Sequence, residues 1–243
     1  EEHVEVLANH YRMSLFSDRA LHYLLLAGQK AIRNQANQQA RQYFESALEL
    51  LPKTQPSEYQ RFLAQSGMGD VLLFIGEYPE AREYYLQAFQ TLANEEKNYE
   101  EKSALQCKIA RTFERLGEYD QAQSQIEAAL ETLKAEPESF PAERAQAWND
   151  LAWIDFRRGN FAEADRLLHH ALSLVEGSDA YEVIASIYNR LGGVAYNQGD
   201  WEQAADYLRK SIAIREASRD RVNLATSLNN LGLLEIEMGQ FES

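Results

Sequence analysis

The chain of 243 residues carries glycines at a nearly constant spacing, and this spacing restricts its fold more than any other feature. Five of its 12 glycines follow one another at steps of 41, 42, 40 and 40 residues. They are Gly76, Gly117, Gly159, Gly199 and Gly239. A period of this length indicates a row of similar structural units, each packed on its neighbours, rather than one globular core.

Fixed residue types accompany each of these glycines. An aromatic residue follows two positions later, and small residues lie five and twelve positions after the glycine and seven before it. The aromatic residues are Tyr78, Tyr119, Phe161, Trp201 and Phe241; the small ones are Ala81, Ala122, Ala164 and Ala204, then Ala88, Ala129, Ala171 and Ser211, then Gly69, Ala110, Ala152, Gly192 and Gly232. Glycine tolerates a left-handed turn, and small side chains let helices approach closely. Each unit is therefore predicted to be a pair of antiparallel helices.

The pattern resembles the tetratricopeptide repeat (TPR), a helix-turn-helix unit. The match is clearest where Trp148, Leu151 and Ala152 precede Gly159, Phe161 and Ala164, and where Leu191 and Gly192 precede Gly199, Trp201 and Ala204. The resemblance implies an all-α fold, a right-handed α-α superhelix (TPR solenoid) of about twelve antiparallel helices. We expect one continuous solenoid, in which residues 1–51 form degenerate N-terminal helices and residues 52–243 form the array, with the last repeat truncated.

The N-terminal segments 7–11, 20–28 and 47–51 are similar to the region that follows the ATPase module in bacterial signal-transduction ATPases, some of which carry adenylyl cyclase domains. A long helix is predicted at about residues 18–35. This resemblance implies that the chain is part of a larger bacterial regulator.

Charge and composition exclude several classes of function. The formal net charge is -14, which opposes binding to nucleic acid or to an anionic membrane surface. No apolar run approaches the roughly 20 residues of a membrane helix. A single cysteine, Cys107, favours a reducing compartment. A soluble, cytoplasmic protein without nucleic-acid or membrane partners is expected.

The sequence contains no recognisable catalytic constellation. The five histidines lack the paired helical spacing of a zinc site. Gly67 and Gly69 lie within a predicted helix, without the lysine of a phosphate-binding loop. A non-enzyme with no cofactor and no metal is therefore expected.

One helical face of the first helix in each unit adjoins the apolar stripe and corresponds to the concave groove of TPR arrays. It contains the positions ten, nine, six, three and two before each turn glycine. The candidate peptide-binding residues on this face are Lys108, Arg111, Arg115, Asn149, Trp153, Phe156, Arg157, Asn189, Arg190, Tyr196 and Asn229. The asparagines either bind the backbone of an extended peptide or form hydrogen bonds to neighbouring helices.

These residues predict a protein or peptide ligand with acidic and apolar side chains, because arginine pairs well with carboxylates. The alternative is that the arginines pair with carboxylates of neighbouring helices and the aromatic residues pack between units. We therefore expect a non-catalytic interaction scaffold within a larger signalling protein. Two alternatives stay open: an intramolecular regulator of an attached ATPase or cyclase, and a self-assembly module that uses an uncapped C-terminal helix.

Overall fold

All regular structure in the described residues is helical. A computed structural model describes residues 3–13, 16–92, 98–136 and 139–239. Within these ranges lie twelve α-helices, a short 3-10 turn and no strand, so the prediction of an all-α chain is confirmed. Phe241, the aromatic residue of the last repeat, lies outside the described residues.

The helices follow one another with short connections. In chain order they are α1 (Val4–Arg12), α2 (Ser17–Arg33), α3 (Asn37–Leu50), α4 (Glu58–Ile75), α5 (Tyr78–Thr91), α6 (Tyr99–Arg115), α7 (Tyr119–Leu133), α8 (Pro141–Arg157), α9 (Phe161–Val175), α10 (Tyr181–Gln198), α11 (Trp201–Ser218) and α12 (Arg221–Glu237). The long helix predicted at residues 18–35 corresponds to α2.

The periodic glycines end helices in the left-handed conformation, as predicted. Gly76 and Gly199 are C-caps with φ of 90° and 85°. The amide of Gly199 donates to the carbonyls of Ala195 and Tyr196, which satisfies acceptors that the end of α10 leaves unpaired. Between α2 and α3 no glycine is present, and Gln35 adopts a φ of 57° instead. The N-terminal hairpin therefore keeps the turn without the residue that marks it in the sequence.

The chain consists of two compact units, Glu1–Gln125 and Ile126–Ser243. In the first unit each helix from α1 to α6 packs on the next, and α2 also contacts α4. The helices predicted as a degenerate N-terminal group thus share a unit with the first regular repeats. In the second unit, α8 to α11 form two antiparallel pairs, and α12 packs on α11.

The small residues of the repeat allow close contact between paired helices. All of the alanines at the two positions after the turn glycine are completely buried. A Cβ added at Gly69 would lie 2.5 Å from the ring of Tyr85, and one at Gly192 would lie 2.8 Å from Leu208. Gly232 occupies the same position of α12, but no atom lies within 4 Å of its added Cβ. The face of α12 around Gly232 is therefore open within the described residues.

Candidate functional site

The predicted groove residues of the first unit form a polar cluster around Asp70. Lys108 donates from Nζ to Asp70 at 2.9 Å, and the hydroxyl of buried Tyr85 donates to the same carboxylate at 2.9 Å. Burial and the Asp70 charge raise the pKa of the Tyr85 phenol, whereas Arg111 acts in the opposite direction. Arg115 lies 3.6 Å from the carboxylate of Glu114. Lys108 and Arg115 are thus both paired with acidic side chains.

The asparagines of the second unit hydrogen-bond to neighbouring helices. Asn149 is completely buried, and its Nδ2 donates to Ser186 Oγ on α10 at 3.1 Å. Asn189 Oδ1 accepts from Ser227 Oγ at 3.0 Å and from Asn230 Nδ2 at 3.2 Å, both on α12. Asn229 is exposed. A ligand would reach the Asn149 amide only by replacing its contact with α10.

A cavity of about 460 Å³ lies within the second unit, between α8, α10, α11 and α12. This volume is within the range of pockets that hold small ligands. Five of the predicted groove residues line it: Trp153, Phe156, Asn189, Arg190 and Tyr196. The remaining lining residues are Gly192, Gly193, Leu208, Thr226, Asn230, Leu233, Leu234 and Glu237. We call this space the Gly193 cavity.

The cavity lies next to Gly193, which has no side chain to fill the space. Gly193 lies six positions before its turn glycine, on the groove face of α10. At the same position the other four repeats carry Asp70, Arg111, Trp153 and Leu233. A Cβ added at Gly193 would meet only the ring of Phe156, at 3.9 Å. The missing side chain therefore leaves a gap between the groove residues of α8 and those of α12.

Aromatic rings form the α8 wall of the Gly193 cavity. The rings of Trp153 and Phe156 are stacked, with centroids 5.0 Å apart and 10° between their planes. Phe161 at the start of α9 packs edge-on against Phe156 at 5.4 Å, which fixes this pair from behind. Arg157 and Arg190 lie over Trp153 at 5.9 and 5.4 Å from its centroid. The wall is thus an apolar surface, and the two arginines beside it already contact an aromatic ring.

Two charged side chains line the Gly193 cavity. Arg190 Nη2 lies 3.0 Å from Asp150 Oδ1, and its Nη1 donates to the carbonyl of Asn149. Glu237 Oε2 accepts a hydrogen bond from the Tyr196 hydroxyl at 2.5 Å. This hydrogen bond to Glu237 raises the pKa of the Tyr196 phenol. Arg190 is therefore paired with a carboxylate, whereas Glu237 accepts a hydrogen bond from a neutral hydroxyl.

A buried polar network holds the α12 wall in place. Arg215 of α11 is 6% exposed, and its Nη1 donates to Ser227 Oγ at 2.6 Å and to the carbonyl of Asn223. Ser227 also contacts Ser211 Oγ at 3.0 Å, and Ser211 donates to the carbonyl of Ala185 on α10. Burial lowers the pKa of Arg215, opposed by Asp220 and Glu182. The network joins α10, α11 and α12 beneath Asn189, at the edge of the cavity.

The structure brings some of the predicted groove residues together in one cavity and leaves others apart. It brings together the five predicted residues named above. Arg157 contacts the aromatic wall from outside the cavity, and Lys108, Arg111 and Arg115 belong to the first unit. The interpretation missed Gly193, Asn230, Leu233 and Glu237. The available signal was the second glycine of Gly192-Gly193, at a position where every other repeat has a side chain.

The described residues show neither a metal site nor a membrane helix. In these ranges no group of three or more His, Cys, Asp or Glu side chains is arranged to hold a metal ion. No described helix combines the length and apolar character needed to cross a bilayer. Cys107 is buried and forms no disulfide.

Sequence comparison matches this chain to the family described as tetratricopeptide repeat. One model of that family matches residues 60–135 and 183–243, and a second matches residues 107–168. No curated protein matches the chain. The matches bear on the repeats alone, and the resemblance to signal-transduction ATPases is not confirmed.

Solved structures confirm the TPR-like helical repeat fold. BtubC from P. vanneervenii is 20% identical with a TM-score of 0.60, over 94% of this chain and 86% of that one. Aspartyl phosphate phosphatase F from Bacillus subtilis is 16% identical with a TM-score of 0.74, over 96% of this chain and 58% of that one. NprR in complex with its cognate peptide NprX is 17% identical with a TM-score of 0.70, over 97% of this chain and 67% of that one. At these identities the likeness concerns the fold.

Proposed function

The chain belongs to the tetratricopeptide repeat family, and on that premise we propose that it is a non-catalytic scaffold that binds a protein or peptide segment through the Gly193 cavity. The observation that carries the proposal is the missing side chain at Gly193, which opens an aromatic-walled cavity on the predicted groove face. A ligand side chain inserted there would take the place that Trp153 or Leu233 fills in the adjacent repeats. NprR, which shares the fold, has been solved with its cognate peptide NprX, and a Rap protein of the same fold has been solved in complex with Competence and Sporulation Factor.

The apolar lining of the cavity favours a ligand with a large apolar side chain. Trp153, Phe156 and Leu233 offer it an apolar surface, and burying a large apolar side chain contributes about 1.5–3 kcal/mol. The acidic character expected from the sequence fits less well. Of the five cations behind that expectation, Lys108, Arg115 and Arg190 are paired with carboxylates. These ion pairs reduce the net positive charge that the groove face presents to a ligand.

The broader context is also a proposal. We place the scaffold in a cytoplasmic signalling protein of bacterial origin. Support comes from the fold shared with NprR, a quorum sensor from B. thuringiensis, and with RapI. Control of an attached ATPase or cyclase remains the alternative context. It requires such a module on the same polypeptide.

A peptide titration tests the proposed cavity. Capped pentapeptides with Phe, Leu or Ala at the centre and Ser and Gly elsewhere are added to the ¹⁵N-labelled protein. We expect binding in the order Phe, Leu, Ala, with amide shifts concentrated at Gly193, Tyr196 and Leu233, because the cavity takes an apolar side chain. Equal shifts with all three peptides, or shifts located elsewhere, would refute the assignment.

Self-association is a second candidate, favoured by the open face of α12. Leu228 and Ile236 are 48% and 53% exposed on this helix, next to the empty space over Gly232. In the repeats of α4 and α10 a helix covers the equivalent glycine. If a second copy covers it here, light scattering will show a mass that rises with concentration, and Leu228→Glu will abolish the rise. Leu86→Glu, at a 44% exposed leucine of α5, is the control. A mass that stays monomeric at all concentrations eliminates this candidate.

A further inference from the structure

Among the described residues, one charged side chain of the Gly193 cavity lies within ion-pair distance of no opposite charge. Arg190 is neutralised by Asp150, whose side chain is only 10% exposed. Glu237 contacts no Lys, Arg or His within ion-pair distance in the part of the chain that the structure describes, and its recorded partner is the neutral Tyr196 hydroxyl. The charge that the lining presents to a ligand is therefore the carboxylate of Glu237.

Helix stability does not account for a carboxylate at this position. Glu237 is the last residue of α12, where the helix dipole disfavours negative charge. The Tyr196 hydroxyl nevertheless holds Glu237 Oε2 at 2.5 Å and so orients the group across the α10–α12 gap. A cation bound at this point would offset the unfavourable interaction between Glu237 and the helix dipole. It would also provide the counterion that Glu237 lacks among the described residues.

The helical register places this carboxylate beside the apolar part of the cavity. Glu237 lies four residues after Leu233, and Tyr196 lies three after Gly193. Residues at these spacings share a helical face, with Cβ atoms about 5–6 Å apart. A ligand side chain that enters over Gly193 and contacts Leu233 therefore brings its neighbouring residues close to Glu237 and to the Tyr196 ring.

We propose that the Gly193 cavity selects a peptide or protein segment in which a large apolar residue is flanked by lysine or arginine, with Glu237 as the residue that recognises the cation. The inference rests on the proposed function and names its ligand class. The net charge of -14 adds a long-range attraction for such a ligand. An acidic segment would bring like charges together at Glu237.

Charge-matched peptides test the inference. The probes are three capped pentapeptides with a central Phe, flanked on both sides by Lys, Gln or Glu, titrated at low and at 0.15 M salt. We expect the Lys peptide to bind about threefold to fivefold more tightly than the Gln peptide, and the Glu peptide more weakly than either. Added salt should reduce the difference, since the pair is partly exposed.

A pair of variants on α12 separates recognition from general charge. Glu237→Gln should remove the preference for the Lys peptide over the Gln peptide, which is measured as the ratio of their two affinities for the same variant. Glu235→Gln changes the net charge equally at a position outside the cavity lining, and should keep the preference. If the Gln peptide binds but the Lys peptide gains nothing, the cation inference is overturned and the cavity proposal stands. If no Phe-centred peptide binds, both fall.

Discussion

Replacing Gly193 by Trp is expected to abolish binding of Phe-centred peptides, with a loss of affinity of about tenfold or more, equivalent to roughly 1.4 kcal/mol or above. The new side chain occupies the space that the ligand needs, as Trp153 does in the preceding repeat. The backbone at Gly193 is helical and its added Cβ meets only Phe156 at 3.9 Å, so the fold accommodates the change. Peptide titration followed by NMR, with circular dichroism for helicity, measures both effects.

The adjacent glycines of α10 supply matched controls. Gly193→Ala keeps most of the cavity and should retain binding, while raising the free energy of unfolding by about 0.5–1 kcal/mol, since alanine is the better helix former. Gly192→Ala places a Cβ 2.8 Å from Leu208 and should lower the free energy of unfolding by about 1–3 kcal/mol. If Gly193→Trp binds the peptide as well as the natural chain does, the Gly193 cavity is not the binding site.

Arg215→Ala is expected to lower the free energy of unfolding of the second unit by about 2–4 kcal/mol. The substitution removes the charge-assisted hydrogen bonds that the buried Arg215 donates to Ser227 Oγ and to the Asn223 carbonyl. Because helical repeats open locally, the loss should concentrate in α12. Urea denaturation gives the overall change, and amide hydrogen exchange shows where it falls.

A second arginine of α11 provides the control for this experiment. Arg209 is exposed and lies 3.5 Å from Asp206, so Arg209→Ala should change the free energy of unfolding by less than about 0.5 kcal/mol. Arg215→Met keeps an apolar stem of similar length and separates packing from hydrogen bonding. Equal effects of the two alanine substitutions would show that the buried network does not hold α12.

Much of the fold follows from local features of the sequence. The turn glycines were predictable because the sequence repeats a glycine, followed two positions later by an aromatic residue, in every unit. In the structure these glycines adopt a positive φ. The buried alanines were predictable because close helix packing requires small side chains. At the N-terminus the same signals failed, since Gln35 adopts the left-handed conformation without being glycine.

The candidate site was less predictable, because it depends on which side chains face each other across helices. Helical periodicity alone placed Trp153, Phe156 and Tyr196 on one face. It did not show that Arg190 would pair with Asp150, nor that Asn149 would be fully buried against Ser186. Those outcomes depend on distances between residues about 40 positions apart in the chain.

The sequence by itself determined the period, the helix pairs and the family, because these arise from backbone preferences and from side-chain size within one repeat. The tertiary structure decided which of the groove positions line one cavity. Gly193 opens a cavity only because Phe156 and Leu233 lie on either side of it without closing the gap, and Glu237 takes its orientation from the hydroxyl of Tyr196, 41 residues away. A missing side chain becomes a cavity only through its neighbours, and packing between repeats determines which residues those neighbours are.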